Sequence, residues 1–155
     1  MAIQKITPFL WYDHQAEEAA GFYASIFPNS KVGKVVRYGP AGPGPAGSAM
    51  TVEFQLDGQP FVALNGGPHF KFTEAISFVV NCETQAEVDG YWEKLSAGGA
   101  QVQCGWLKDK FGLSWQIVPT ALPKLLSDPD PKKAERVMKA MLAMKKIDIA
   151  ALQQA

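Results

Sequence analysis

The sequence predicts an α+β fold of two tandem βαβββ modules followed by C-terminal helices. Three observations predict it: a helix signature that occurs twice, β-prone runs at matching places around each copy, and a helical pattern after Pro123. The repeat carries most weight. Gln15-Ala16-Glu17-Glu18-Ala19-Ala20-Gly21-Phe22-Tyr23-Ala24-Ser25-Ile26 returns as Gln85-Ala86-Glu87-Val88-Asp89-Gly90-Tyr91-Trp92-Glu93-Lys94-Leu95. With one residue deleted from the first copy, both read Gln-Ala-Glu, then Gly-aromatic-aromatic, then an aliphatic residue. Ala19, Phe22, Tyr23 and Ile26 share one helical face, as do Val88, Tyr91, Trp92 and Leu95. Any two amphipathic helices share a stripe; sharing Gln-Ala-Glu and the glycine as well points to duplication.

Each element has a local reason. Asp13 is the predicted cap of the first helix, and Pro28-Asn29 its stop. Thr84 and Glu87 make a capping box for the second, which Gly98-Gly99 ends. Residues 3–12 read as a strand interrupted by Pro8, and residues 75–80 as its continuous counterpart. Strands follow at 32–38, 50–56 and 61–64. In the middle one Met50, Val52, Phe54 and Leu56 alternate with Thr51, Glu53 and Gln55, so one face is buried. Asp57-Gly58 is a hairpin signal. In the second half, strands at 101–107 and 113–118 flank a turn at 109–112. Module one thus spans about 3–65, module two about 74–119, and C-terminal helices about 121–153, in one domain of residues 1–155.

Residues 39–47 contain only glycine, proline and alanine; the run is too short and too irregular for collagen and predicts a mobile loop. In the tail, Asp130-Pro131 is a cap followed by a first-turn proline. The stripe of Ala134, Val137, Met138, Met141, Leu142 and Lys145 is expected to pack on its own domain, or as second choice on a partner subunit.

Composition excludes several roles. With 155 residues, 47% hydrophobic and 19% charged, the chain can bury a core. Fifteen basic and fifteen acidic residues give zero net charge, so no field attracts nucleic acid or an anionic membrane. Lys132, Lys133, Arg136, Lys139, Lys145 and Lys146 read as a solvated helix face. Cys82 and Cys104 form no paired motif; with no signal peptide, reduced thiols and a cytoplasmic location are the expectation. The apolar runs are shorter than the about 20 residues a bilayer span requires.

A longer set of motifs supports a family resemblance. They are Thr7-Pro8-Phe9-Leu10-Trp11-Tyr12, Phe27-Pro28-Asn29-Ser30, Leu64-Asn65-Gly66-Gly67-Pro68, Phe78-Val79-Val80-Asn81-Cys82, Cys104-Gly105-Trp106-Leu107-Lys108-Asp109 and Gly112-Leu113-Ser114-Trp115-Gln116-Ile117-Val118-Pro119. In order and spacing the chain resembles the vicinal oxygen chelate superfamily of glyoxalase I, extradiol dioxygenases and bleomycin-resistance proteins. Within it, the PhnB-like branch is the nearest match, whose domain bears the label 3-demethylubiquinone-9 3-methyltransferase.

The resemblance implies a cavity walled by the strands of each module, and a homodimer. Metal-dependent relatives hold an ion with one histidine or carboxylate from the first and last strand of each half. Those positions fall at or near Pro8, Asn65 and Ala75 and at Gln116, none of which suits a divalent ion, so no metal and no other cofactor is expected. Cavity-facing candidates for substrate binding are Trp11, Asn65, Phe78, Trp106, Trp115 and Gln116, with His69, Phe70 and Phe72 from the adjacent loop. Such a wall suits a planar or aromatic ligand; taken singly, each aromatic reads first as an ordinary core residue. Trp115 and Gln116 are neighbours on a strand and must point opposite ways.

Of the two histidines, His14 reads as a surface residue and His69 either as a general base, ligand or donor, or as a structural loop residue. Cys104 is a nucleophile only if a neighbour stabilises its thiolate; a small buried residue is the safer reading. Three functions follow: a metal-free binding protein for a small planar metabolite, an enzyme on a small metabolite with His69 as base, or the methyltransferase of the family label. Against the last, no glycine-rich cofactor loop is present.

Overall fold

The computed structural model describes residues 4–155; the predicted strand start at Ile3 lies outside them. The chain forms two compact units, one ending at Lys71 and the other spanning Phe72–Ala155. In the first, the order is β1 (Phe9–Tyr12), α1 (Ala16–Ile26), β2 (Lys31–Arg37), β3 (Ala49–Leu56) and β4 (Gln59–Asn65). In the second it is β5 (Ser77–Cys82), α2 (Gln85–Ser96), β6 (Ala100–Gln101), β7 (Trp106–Lys108) and β8 (Ser114–Pro119). Helices α3 (Ala121–Leu126), α4 (Pro131–Leu142) and α5 (Ile149–Gln154) follow. Each unit builds one four-stranded sheet, ordered β1-β4-β3-β2 and β5-β8-β7-β6. First and last strands pair in parallel in both, the rest antiparallel. The duplication read from the helices therefore holds for the sheets, and the fold is α+β as predicted.

Glycines 21 and 90 occupy the sixth position of α1 and α2. A Cβ at either would meet nothing within 4 Å among the described residues. Packing gives no reason for glycine there, so its backbone freedom is a cost. Gly21→Ala is expected to raise unfolding free energy by about 0.5–1 kcal/mol, read as a higher urea midpoint at unchanged slope.

In the first unit, Leu10, Tyr12, Val52, Phe54, Leu56, Phe61 and Ala63 are buried on the sheet face toward α1. Tyr23 of α1 is fully buried there, its ring 6.1 Å from that of Phe54 and its hydroxyl 3.1 Å from that of Tyr12. Each large apolar side chain so buried contributes about 1.5–3 kcal/mol. In the second unit, Cys82, Leu107, Trp115 and Ile117 fill the same role under Val88, Trp92 and Leu95 of α2.

The cap of α1 departs from expectation. Asp13 does not cap it; Gln15 is the N-cap residue and makes no side-chain cap bond. Instead Asn65, at the end of β4, accepts the Ala16 N–H at 2.8 Å. Thr84 caps α2 as predicted, accepting from Glu87 N–H, while the Glu87 carboxylate accepts from Glu83 N–H. The predicted strand at 101–107 splits into β6 and β7. Cys104 (φ 60°) and Gly105 (φ 83°) adopt left-handed backbone between them, and their N–H groups donate to the carbonyls of Met144 and Lys145. The first strand begins only after Pro8, which lacks an N–H, although its carbonyl accepts from Val62. Residues 39–47 close on Tyr38, whose N–H and C=O pair with Ser48 and Gly47 and whose ring lies on Gly42 and Gly44.

The C-terminal stripe packs within its own unit. Val137 of α4 is fully buried with Leu122, Ile147 and Leu152, and Met141 lies against them. Met138 and Leu142, predicted on the same face, are exposed. Gln85 ties this tail to α2: its amide nitrogen donates to Ile147 O (3.0 Å) and its oxygen accepts from Ile149 N–H (2.8 Å). No helix among the described residues is long and apolar enough to cross a membrane.

Candidate functional site

Each sheet has one face against its own helix and one face turned away. Strand alternation and register assign every side chain to one of them. In the first unit the outer face carries Phe9 and Trp11 of β1 beside Val62 and Leu64 of β4, then Thr51 and Glu53 of β3. A cleft of about 300 Å3 on this face is lined by Phe9, Lys31, Glu53, Pro60 and Val62, among others. Trp11, on the same face but not among the residues lining that cleft, is held by the loop after β4: the indole Nε1–H donates to Gly67 O at 2.9 Å, and Phe70 meets the ring edge-on at 4.9 Å. Gly66 lies flat under that ring, where an added Cβ would come within 2.7 Å of Trp11 Cδ2.

In the second unit the outer face carries Val79 of β5, Gln116 of β8 and Trp106 of β7 in one cross-strand row, with Ser77, Ser114 and Lys108 in the next. Gln116 Nε2 donates to Ser77 Oγ at 2.9 Å. Trp115 points the other way. It is 3% exposed, its ring is 5.6 Å from that of Phe78, and its Nε1–H donates to Asp109 Oδ2 at 2.9 Å.

The nine residues singled out from sequence therefore separate. Trp11, Trp106 and Gln116 lie on outer sheet faces, and Phe70 is exposed against Trp11. Phe78 and Trp115 lie on the helix-facing side, and Phe72 is half-buried in the segment before β5. Asn65 is committed to backbone: Oδ1 accepts from Ala16 N–H and Nδ2 donates to Ala49 O. His69 is exposed in a separate cleft of about 550 Å3 beyond the end of β4, which His14, Arg37, Tyr38 and Asn65 also line.

The register mapping also shifts. Gln116 lies four residues after Gly112 and pairs with Val79; Val62 lies four residues after Gly58 and pairs with Phe9. The counterpart of Gln116 is therefore Val62, not Asn65. On the first and last strands of both units, the outer-face side chains are Phe9, Trp11, Pro60, Val62, Leu64, Ser77, Val79, Asn81, Ser114, Gln116 and Val118. None is a histidine, thiol or carboxylate, and no group of three such side chains among the described residues could hold a metal ion. This donor set does not fit a divalent cation.

The two thiols differ. Burial, and secondarily the charge of Glu87, pushes the Cys82 thiol up to about 11. A neutral buried thiol favours the folded state below about pH 9, its unfolded value, and that contribution is lost as pH rises through 11. Cys104 is half-buried on its left-handed turn. At pH 8 a disulfide reagent is expected to titrate one thiol quickly in the native protein and the second only on unfolding; equal rates would contradict this assignment. Sequence reading passed over Lys108 and Ser114, which strand register pairs directly across β7 and β8.

Such a pair of βαβββ sheets, each with an open face, defines the vicinal oxygen chelate fold. A glyoxylase/bleomycin resistance protein/dioxygenase domain from Frankia sp. EAN1pec matches over 76% of this chain and 93% of its own, at 14% identity and TM-score 0.50. The fosfomycin resistance protein FosX of Listeria monocytogenes, solved with Mn(II) and sulfate, matches over 81% of this chain and 97% of its own (16% identity, TM-score 0.54). More specifically, the model of the 3-demethylubiquinone-9 3-methyltransferase family matches residues 4–118, and the chain belongs to that family. A PhnB protein of Bacillus cereus bearing the same methyltransferase label is 39% identical, with TM-score 0.69, over 76% of this chain and all of its own. Among proteins of curated function none matches.

Proposed function

We propose that this protein binds a small planar metabolite on the outer faces of its sheets, without a protein-held divalent ion and without turnover. The observation that carries this reading is the outer-face inventory. Indoles (Trp11, Trp106) and a carboxamide (Gln116) stand there, and metal donors are missing from the outer faces of the strands that bear them in metal-dependent relatives. Stacking on a half-buried indole, with one or two hydrogen bonds, is the recognition such a surface offers.

The family's methyltransferase label finds less support in the residues. The strand-to-helix connections, residues 13–15, 83–84 and 120, contain no glycine and are too short for a phosphate- or nucleoside-cradling loop. His69, the base of an enzymatic reading, lies in the separate cleft with His14 and Arg37.

Calorimetric titration with 2-naphthol in excess chelator tests the binding reading. Saturable binding is expected, weakened about tenfold in Trp106→Ala, because a lost aromatic contact is worth about 0.5–1.5 kcal/mol beyond its area. Binding that required an added divalent ion, or that Trp11→Ala and Trp106→Ala both left unchanged, would overturn it. Heat of binding with S-adenosylmethionine would instead favour the methyltransferase.

A further inference from the structure

One polar atom of the second unit has no explanation in the fold. Ser114 is 1% exposed, and its hydroxyl has no hydrogen-bond partner among the described residues. A buried hydroxyl without a partner costs stability, and its persistence calls for a reason. Ser114 lines a cleft of about 310 Å3 together with Glu74, Val102, Trp106, Leu107 and Lys108. Lys108 is its direct cross-strand neighbour, and Trp106 stands two residues before Lys108 on the same face. The Lys108 ammonium is engaged by the Glu74 carboxylate, from the segment before β5. That ion pair is solvent-accessible, the Glu74 side chain being 59% exposed, so its partners exchange at small cost.

The cleft surface itself is apolar and the Ser114 hydroxyl is covered; displacing Glu74 would bring the Lys108 ammonium and that hydroxyl to a ligand beside the Trp106 indole, a set that matches a planar molecule bearing a carboxylate. We propose that this cleft selects an aromatic carboxylate, which displaces Glu74 from Lys108, takes the Ser114 hydroxyl as a second donor and lays its ring against Trp106. Glu74 is then a stand-in for the ligand's own carboxylate, holding the ammonium while the cleft is empty. Lys108 lowers the Glu74 carboxyl below its usual range, chiefly through their hydrogen bond, so the stand-in stays charged near neutral pH. The inference rests on the outer-face reading and adds a ligand class to it.

Calorimetry of the full chain with benzoate, benzamide and 2-naphthol separates the two. Benzoate is expected to bind at least tenfold tighter than benzamide at low salt, and Lys108→Met to abolish that difference. Glu74→Gln should tighten benzoate several-fold, because the competing carboxylate is gone. Ser114→Ala should weaken benzoate about tenfold while raising the melting temperature of the free protein, since it removes an unpaired buried group. A purely structural serine would not move these two readouts in opposite directions. If benzoate and benzamide bind alike, or Glu74→Gln leaves benzoate affinity unchanged, the carboxylate proposal fails while 2-naphthol binding keeps the wider reading. Should none of the three bind, both fall.

Discussion

Asp109→Ala is expected to cost about 3–5 kcal/mol. Asp109 is 2% exposed, and the bonds by which its carboxylate holds the β7–β8 turn include these. Oδ1 accepts from Phe111 N–H (2.9 Å) and Leu113 N–H (3.1 Å), and Oδ2 from Trp115 Nε1–H (2.9 Å). Alanine leaves these donors facing a void, each costing about 1–3 kcal/mol with partial relieve from entering water. Against a total of about 5–15 kcal/mol this is a large fraction. The loss should appear as a lower urea midpoint at unchanged slope. Asp109→Asn supplies the control: its amide oxygen still accepts from the turn, but its NH2 opposes the indole N–H, so a smaller loss is expected. A midpoint for Asp109→Ala within error of the parent would show that the turn closes without the carboxylate.

The second large effect is expected at Gly99, just after α2. An added Cβ would meet the Lys108 carbonyl oxygen and the Asp109 carbon, the latter at 2.6 Å. Both atoms are backbone, fixed by the β7–β8 pairing and by the bonds of Asp109, so no side chain can yield. Gly99→Ala must separate the end of α2 from that turn, at the upper end of the about 1–3 kcal/mol typical of overpacking. Gly98→Ala is a different case, because Gly98 sits at φ +76° and its Cβ would meet only the flexible Lys110 side chain. Its cost is conformational, about 1 kcal/mol. Equal midpoints for the two variants would argue against the steric account. Thermal unfolding followed by circular dichroism is enough to rank them.

Much of this architecture was legible in local residue patterns. Helical stripes placed Tyr23, Val88, Trp92 and Leu95 in the core because side chains at that spacing share a face whatever lies opposite. The Thr84 cap was readable because its partners lie within four residues, although the Glu87 carboxylate takes the Glu83 N–H and not the Thr84 N–H of a capping box. The α1 cap was not, because its acceptor is Asn65, forty-nine residues away in sequence. For the same reason Asn65 looked like a cavity amide until β4 showed which way it turned. In the C-terminal tail, the α4 stripe was drawn too wide. Ile147 and Leu152, from beyond that helix, decide which edge of it is covered.

For the site the division is sharper. Period-two alternation established by itself that Trp115 and Gln116 oppose one another, and the recurring helix motif that the second half repeats the first. It could not say which of the two faces α2, because a strand has no intrinsic inside. Tertiary structure decided that: Asp109 offers the buried acceptor an indole N–H requires, so Trp115 turns to the core and Gln116 is left outward beside Trp106. The same register sets Ser114 beside Lys108, a neighbour relation carried only by hydrogen bonds between strands.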